Sequence, residues 1–192
     1  IPTIHGGCIL ELPLVILVHP SNRFNKRHLF MYSEKHLKPK KEYDEKALRH
    51  KAIELLARRE YSYSELEKKL SVLSEDNEAI ERILDWLIEM ELQSDTRFAQ
   101  MYLRSKAVSG YGPVRIKLEL KQKGINEFLI ENSFEELAFE WSEEVDRLII
   151  KKVKDTSLDD MKFKNKVMGY LQRRGYTLDQ IYSGFDRFTP SI

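Results

Sequence analysis

The side chains with the greatest chemical reach in this chain are cations, and they come in blocks. Between Arg104 and Lys123 stand Arg104, Lys106, Arg115, Lys117, Lys121 and Lys123, against the single acid Glu119. The next stretch reverses the sign, with Glu127, Glu131, Glu135, Glu136, Glu140, Glu143, Glu144 and Asp146 all preceding Arg147. Lys151, Lys152, Lys154, Lys162, Lys164, Lys166, Arg173 and Arg174 then turn the chain positive again. Ammonium and guanidinium groups bind phosphate or carboxylate oxygens, the guanidinium often through two parallel hydrogen bonds. The net charge is only +1, which argues against a uniformly basic DNA-binding surface and for a basic and an acidic face on one body. The ordinary alternative is solvated helix faces joined by salt bridges, and for any single residue it stands beside the binding reading.

No catalytic arrangement emerges. Asp159 and Asp160, and Glu143 and Glu144, are sequence neighbours, so on a helix they point about 100° apart and form no acid–base pair by themselves. Solvated charge is the expectation for them. Neither the serines nor His50 stand where a nucleophile meets a base. Gly110, Gly112 and Pro113 have neither the strand, the third glycine nor the lysine of a phosphate-binding loop, and read as a tight turn between helices. The histidines all lie between His5 and His50 and show no metal-ligand spacing. The expectation is a protein with no enzyme activity, no cofactor and no metal.

The elements that must position the cations form a repeat. Leu70, Leu120 and Leu171 superpose with steps of 50 and 51, and the same steps carry Ile80 to Ile130 to Ile181 and Leu84 to Phe134 to Phe185. Positions four apart share a helix face. Four residues past the leucines stand Ser74, Gly124 and Gly175, where glycine commonly leaves a helix in the left-handed conformation. Tyr61 falls on Tyr111, without a clean third equivalent. The reading is all-α: an elongated, curved array of three tandem three-helix repeats, spanning 44–93, 94–140 and 141–192, behind an extension over 1–43.

In the first repeat the patterns predict helices from about Glu45 to Arg59, from Ser64 with a capping box to Glu67, and from Asn77 to Met90. The second starts near Asp95 as N-cap, restarts at Pro113, ends at Gly124 and starts again behind Asn126. The third begins near Ser142, runs through Phe163, Val167, Tyr170 and Leu171 to Gly175, and caps its last helix with Thr177 and Gln180. Val114, Ile116, Leu118 and Leu120 alternate with polar residues as a strand would, but the proline start and glycine stop favour a helix. Phe98 and Tyr102, four apart, belong to the second core. Tyr111 packs across a repeat interface, with base stacking as the alternative. Arg97 gains nothing from the dipole in a first helical turn, so a partner contact or a buried ion pair is expected there.

The second helices of repeats two and three should occupy equivalent places, which sets Arg115, Lys117, Lys121, Lys123, Lys164, Lys166, Arg173 and Arg174 along one ligand-facing stripe. Arg97, Arg104 and Lys106 complete the candidate partner- or DNA-binding residues. The first thirty residues differ from the rest; Met31 is a candidate natural start, and the alternative is a short strand or frayed appendage packed on the first repeat. The apolar run from Cys8 to Val18 contains Glu11 and Pro13 and is too short to span a bilayer. One cysteine and a third of residues charged fit a reducing cytoplasm and no membrane association.

Three stretches carry a family resemblance. Asp95-Thr96-Arg97-Phe98-Ala99-Gln100-Met101-Tyr102, Gly110-Tyr111-Gly112-Pro113-Val114-Arg115-Ile116 and Leu120-Lys121-Gln122-Lys123-Gly124-Ile125 together resemble the central signature of the RecX family. Ser64-Glu65-Leu66 and Leu171-Gln172-Arg173-Arg174-Gly175-Tyr176 resemble its flanking elements, so the likeness covers roughly 45–188. Ser74 departs from it, since the family more often has glycine there. The resemblance implies a regulator of the RecA recombinase: a tandem array lying in the groove of the RecA filament on single-stranded DNA, limiting its growth and lowering its ATPase, strand-exchange and coprotease activities. It implies RecA as partner, with single-stranded DNA met weakly or through RecA, and a monomer. From the residues alone, two other uses stay open: a helical module that binds single-stranded nucleic acid, and a helical-repeat scaffold that binds an extended peptide.

Overall fold

Short polar side chains start most of the helices, and each such cap satisfies a backbone N–H that the helix cannot, at about 1 kcal/mol apiece. In the computed structural model, which describes residues 43–153 and 160–188, Asp44 caps the first helix, Asp76 the third and Asn126 the sixth. Three helices make the first repeat: α1 (Glu45–Leu56), α2 (Tyr63–Ser71) and α3 (Asn77–Glu89). The second holds α4 (Asp95–Val108), α5 (Pro113–Gln122) and α6 (Glu127–Leu137), and the third α7 (Trp141–Val153), α8 (Met161–Arg174) and α9 (Leu178–Phe188). No strand occurs among the described residues, and the alternating segment 114–120 is helical, as its proline and glycine require.

Each triplet closes on its own core. Leu70, Leu120 and Leu171 are completely buried, each in a different cluster, with Ile80, Ile130 and Ile181 beside them. Burying one such side chain stabilises by about 1.5–3 kcal/mol, so the repeated positions are the ones each small core can least do without. Phe98 is fully buried and stacks on Tyr102 with ring centroids 5.7 Å apart. Residues 1–42, and with them Met31 and the run from Cys8 to Val18, lie outside the described residues.

Several helix ends differ from the sequence reading. α1 stops at Leu56 rather than Arg59, with Ala57 as its C-cap. The cap of α2 is Ser62, not Ser64: its hydroxyl accepts from the Glu65 N–H and donates to the Lys123 carbonyl at 2.7 Å. The cap of α4 is Ser94, which leaves Asp95 inside the first turn. The Asp95 carboxylate reaches back 32 residues to accept from the Tyr63 N–H, at 2.8 Å, and from the Gln93 amide. Thus the orphan donor at the start of α2 is satisfied by the next repeat, a partner that no local pattern could reveal. Thr177 and Gln180 do form the expected reciprocal box at α9.

The second helices meet head to tail. The end of α5 closes on the start of α2 through the Ser62 to Lys123 bond, and the end of α8 closes on the start of α5 through Gly112 N–H to Arg174 carbonyl, 2.7 Å, and Val114 N–H to Gly175 carbonyl, 3.1 Å. Two glycines make the second contact fit. A Cβ on Gly112 would stand 2.4 Å from the Gly175 carbonyl, and one on Gly175 would stand 2.3 Å from Arg115 Cβ. Gly175 also has φ +93°, which other residues rarely adopt. Ser74 is tolerated at the aligned position because α2 has no earlier second helix among the described residues to press on. It keeps a negative φ and turns its hydroxyl to the Asp76 N–H instead.

Candidate functional site

Most cations of the second repeat are held by acids of the chain itself. Glu119, one turn past Arg115 on α5, accepts from the Tyr102 hydroxyl at 2.6 Å and the Arg115 guanidinium at 2.8 Å, and pairs with Lys106 Nζ at 2.9 Å. Burial alone would raise its carboxyl, but the hydrogen bonds from Tyr102, Arg115 and Lys106 outweigh burial and bring it down to about 2. Lys117 pairs with Glu131 at 2.5 Å and Lys121 with Glu127 at 2.7 Å, both across from α5 to α6. Lys123 crosses the repeat boundary to Glu65 at 2.6 Å, and its charge, with that of Arg59, holds the Glu65 carboxyl low against its burial.

Arg97 makes an exposed rather than a buried ion pair, with Glu60 at 3.1 Å, and also donates to the Leu92 carbonyl. It borders an open cleft of about 560 Å³ whose other lining residues include Tyr63, Ile88, Gln93 and Asp95. Tyr63, Gln93 and Asp95 are already bonded to one another there. Arg104, exposed on α4 beside Gln100, Ser133 and Glu136, has no ion-pair partner among the described residues. Gln100 takes the neighbouring Glu136 carboxylate.

The third repeat is different. Arg174 donates to the Ser109 and Gly110 carbonyls, at 2.7 and 3.1 Å, and lies 5.0 Å from the Tyr111 ring centre, so Tyr111 does pack across a repeat interface. Arg115 lies over the same ring at 4.6 Å. Lys164 rests over the Phe185 ring at 5.1 Å. Lys162, Lys166 and Arg173 are exposed, and their cationic groups have no ion pair or hydrogen bond among the described residues. With Gly169 they fall at i, i+4, i+7 and i+11 of α8, on the side away from buried Val167 and Leu171. Glu144, expected to be solvated, is instead 8% exposed and bonded to Arg147. Lys154 lies outside the described residues.

The candidate stripe therefore divides. The structure gathers Lys106 and Arg115 around Glu119, commits Lys117, Lys121 and Lys123 to acids, and gives the cations on the outer face of α8 no ion-pair partner among the described residues. Sequence reasoning did not single out Gly169, although a lone glycine inside a helical pattern is a legible signal. It also passed over Glu119 as a hub, because Tyr102 and Lys106 reach it from another helix.

Known proteins resemble this chain in both sequence and fold. The models of the second and third three-helix domains of RecX match residues 94–133 and 142–183. The regulatory protein RecX of Pseudomonas savastanoi pv. phaseolicola is 37% identical over 135 residues, 70% of this chain and 87% of that protein. That of Acinetobacter baylyi is 36% identical over 140 residues, 73% of this chain and 87% of its own. The crystal structure of RecX from Lactobacillus salivarius superposes with a TM-score of 0.66 at 26% identity, over 74% of this chain and 95% of that one. Since the all-α repeats, the signature around Gly112 and near full-length relatives agree, the chain belongs to the RecX family of regulatory proteins.

Proposed function

We propose that this protein is a negative modulator of RecA, acting without catalysis of its own. It lies in the groove of the RecA filament on single-stranded DNA, blocks filament extension, and so lowers ATPase, strand-exchange and coprotease activity in DNA repair, homologous recombination and the SOS response. It acts in the cytoplasm as a monomer. The observation that carries this reading is the match to RecX proteins over most of their length. A second observation supports it: three cations on one face of α8, without an ion pair among the described residues, can meet phosphates or acidic groups of a filament, while Arg115, Lys117 and Lys121 on α5 are already matched. Attraction of this kind weakens as salt rises.

The test is the ATPase rate of RecA on single-stranded DNA as this protein is titrated up to equal stoichiometry. Inhibition well below one molecule per RecA is the expected result and points to action on filament growth. No effect at equal stoichiometry would overturn the proposal and leave a nucleic-acid-binding module or a peptide scaffold.

A further inference from the structure

We infer that the outer face of α8 is a docking track for the sugar-phosphate backbone of a nucleic-acid strand, with Gly169 as the point of closest approach and Lys162, Lys166 and Arg173 as the phosphate ligands. Three observations converge on it. The cationic groups of these side chains have no ion-pair partner among the described residues, and α8 carries no acid between Met161 and Arg174. The equivalent helix α5 has its cations matched by Glu119, Glu127 and Glu131, so bare charge is not a property of this place in the repeat.

Gly169 is the second observation. Glycine inside a helix weakens it, and its own fold gives no reason for it here. Among the described residues a Cβ at Gly169 would meet only the Arg173 guanidinium, at 3.3 Å, the movable end of a side chain. In contrast, a Cβ at Gly184 would run into Val145 at 2.7 Å, so that glycine is explained by packing. A glycine that the fold does not use, in the middle of a cationic face, leaves room for a chain to lie against the helix backbone.

The third observation separates a nucleic acid from an acidic protein. Protein interfaces have an apolar centre, yet beyond Met161 at its first position α8 exposes no large apolar side chain. Its outer face is flanked by the exposed amides Asn165 and Gln172, which donate hydrogen bonds to phosphate and sugar oxygens. The choice of a single strand rather than a duplex rests on the proposed function.

The test is anisotropy of a labelled oligothymidylate bound by the full chain, across a series of salt concentrations. Lys162→Ser, Lys166→Ser and Arg173→Ser together should weaken binding at least tenfold at low salt and reduce the slope of log affinity against log salt by about 2, at roughly 0.7 per phosphate. Gly169→Gln should weaken binding about fivefold with helix content unchanged. A control that removes Lys46, Lys68 and Lys151 should leave the slope within about 0.5 of the original. An unchanged slope in the α8 triple variant, or no oligonucleotide binding by the parent protein, would overturn the track. Normal binding by Gly169→Gln would overturn the close approach.

RecA ATPase keeps the two readings apart. Inhibition by the parent protein, with oligonucleotide binding indifferent to the α8 changes, refutes this face and leaves the RecA reading standing. Oligonucleotide binding through the face, with no effect on RecA, supports the face and refutes that reading. Loss of filament binding alone, with oligonucleotide binding intact, would assign the face to acidic protein groups and overturn the nucleic-acid assignment.

Discussion

α5 and α8 hold the same place in successive repeats, end on aligned glycines and bury aligned leucines, yet their charges live in opposite circumstances. On α5, Arg115, Lys117 and Lys121 each reach a carboxylate. On α8, Lys162, Lys166 and Arg173 reach none among the described residues. The difference shows what a repeat conserves. Apolar positions and helix ends recur because each small core and each junction needs them, whereas surface charge can be redirected from holding the repeats together to meeting something else.

The largest expected effect tests the junction that brings the two helices into line. Gly175→Ala forces a Cβ onto Arg115 backbone and side chain at a positive φ, and should destabilise by about 3–4 kcal/mol in denaturant unfolding. Gly169→Ala, the same exchange six residues earlier in the same helix, should instead stabilise by up to about 1 kcal/mol. If both substitutions destabilise alike, Gly169 has a packing role and the contrast between the helices is weakened.

Next in size is the hub of the matched region. Glu119→Gln leaves Lys106 and Arg115 without their counter-charge and should cost about 2 kcal/mol. The folded carboxyl lies at about 2, below the ordinary 4.5, so its contribution is present above about pH 4.5 and is lost as pH falls toward 2. Unfolding midpoints measured from pH 5 down to 2 should therefore fall more steeply in the parent protein than in Glu119→Gln. Equal slopes would show that Glu119 is not the residue holding this cluster.

The fold was legible because it rests on local and periodic signals. Leu70, Leu120 and Leu171, the Pro113 start, the Asn126 cap and the Thr177–Gln180 box are all short-range features, and each stands where the pattern placed it. Asp95 was misplaced as a cap of its own helix because its true acceptor role is toward Tyr63, across the repeat boundary. The site was half legible for the same reason. Blocks of charge are visible in a sequence, but whether Lys117 is matched depends on Glu131, fourteen residues on and brought close only by the packing of α5 against α6. Gly169 was readable as a glycine within a helical pattern; that only the movable Arg173 guanidinium comes near it among the described residues was not.

Charge reversal separates the helices by kind of effect. Lys117→Glu with Lys121→Glu sets like charges against Glu131 and Glu127, and should lower the unfolding midpoint measurably, though less than Glu119→Gln does. Lys166→Glu with Arg173→Glu breaks no ion pair among the described residues, so the midpoint should hold within about 0.5 kcal/mol while filament affinity falls severalfold or more. A matching loss of stability in the α8 variant would mean that its cations are structural too.

The smallest effect compares two tyrosines. Tyr102 in the second repeat donates its hydroxyl to Glu119, so Tyr102→Phe should cost about 1 kcal/mol or slightly more. Tyr176 in the third is 3% exposed, packs edge-on against Trp141, and has a buried hydroxyl with no hydrogen-bond partner among the described residues. Burial, then the nearby Glu144 charge, pushes its pKa up, so it stays neutral and no compensating ionisation relieves the unmet bond. Tyr176→Phe removes that group from the core and should leave stability unchanged or raise it by up to about 1 kcal/mol in thermal or denaturant unfolding. A loss of 1 kcal/mol or more would reveal a hydrogen bond at that hydroxyl, and the third repeat would then be as fully networked inside as the second. Opposite signs for the two substitutions would extend the difference between the repeats from their surfaces into their cores.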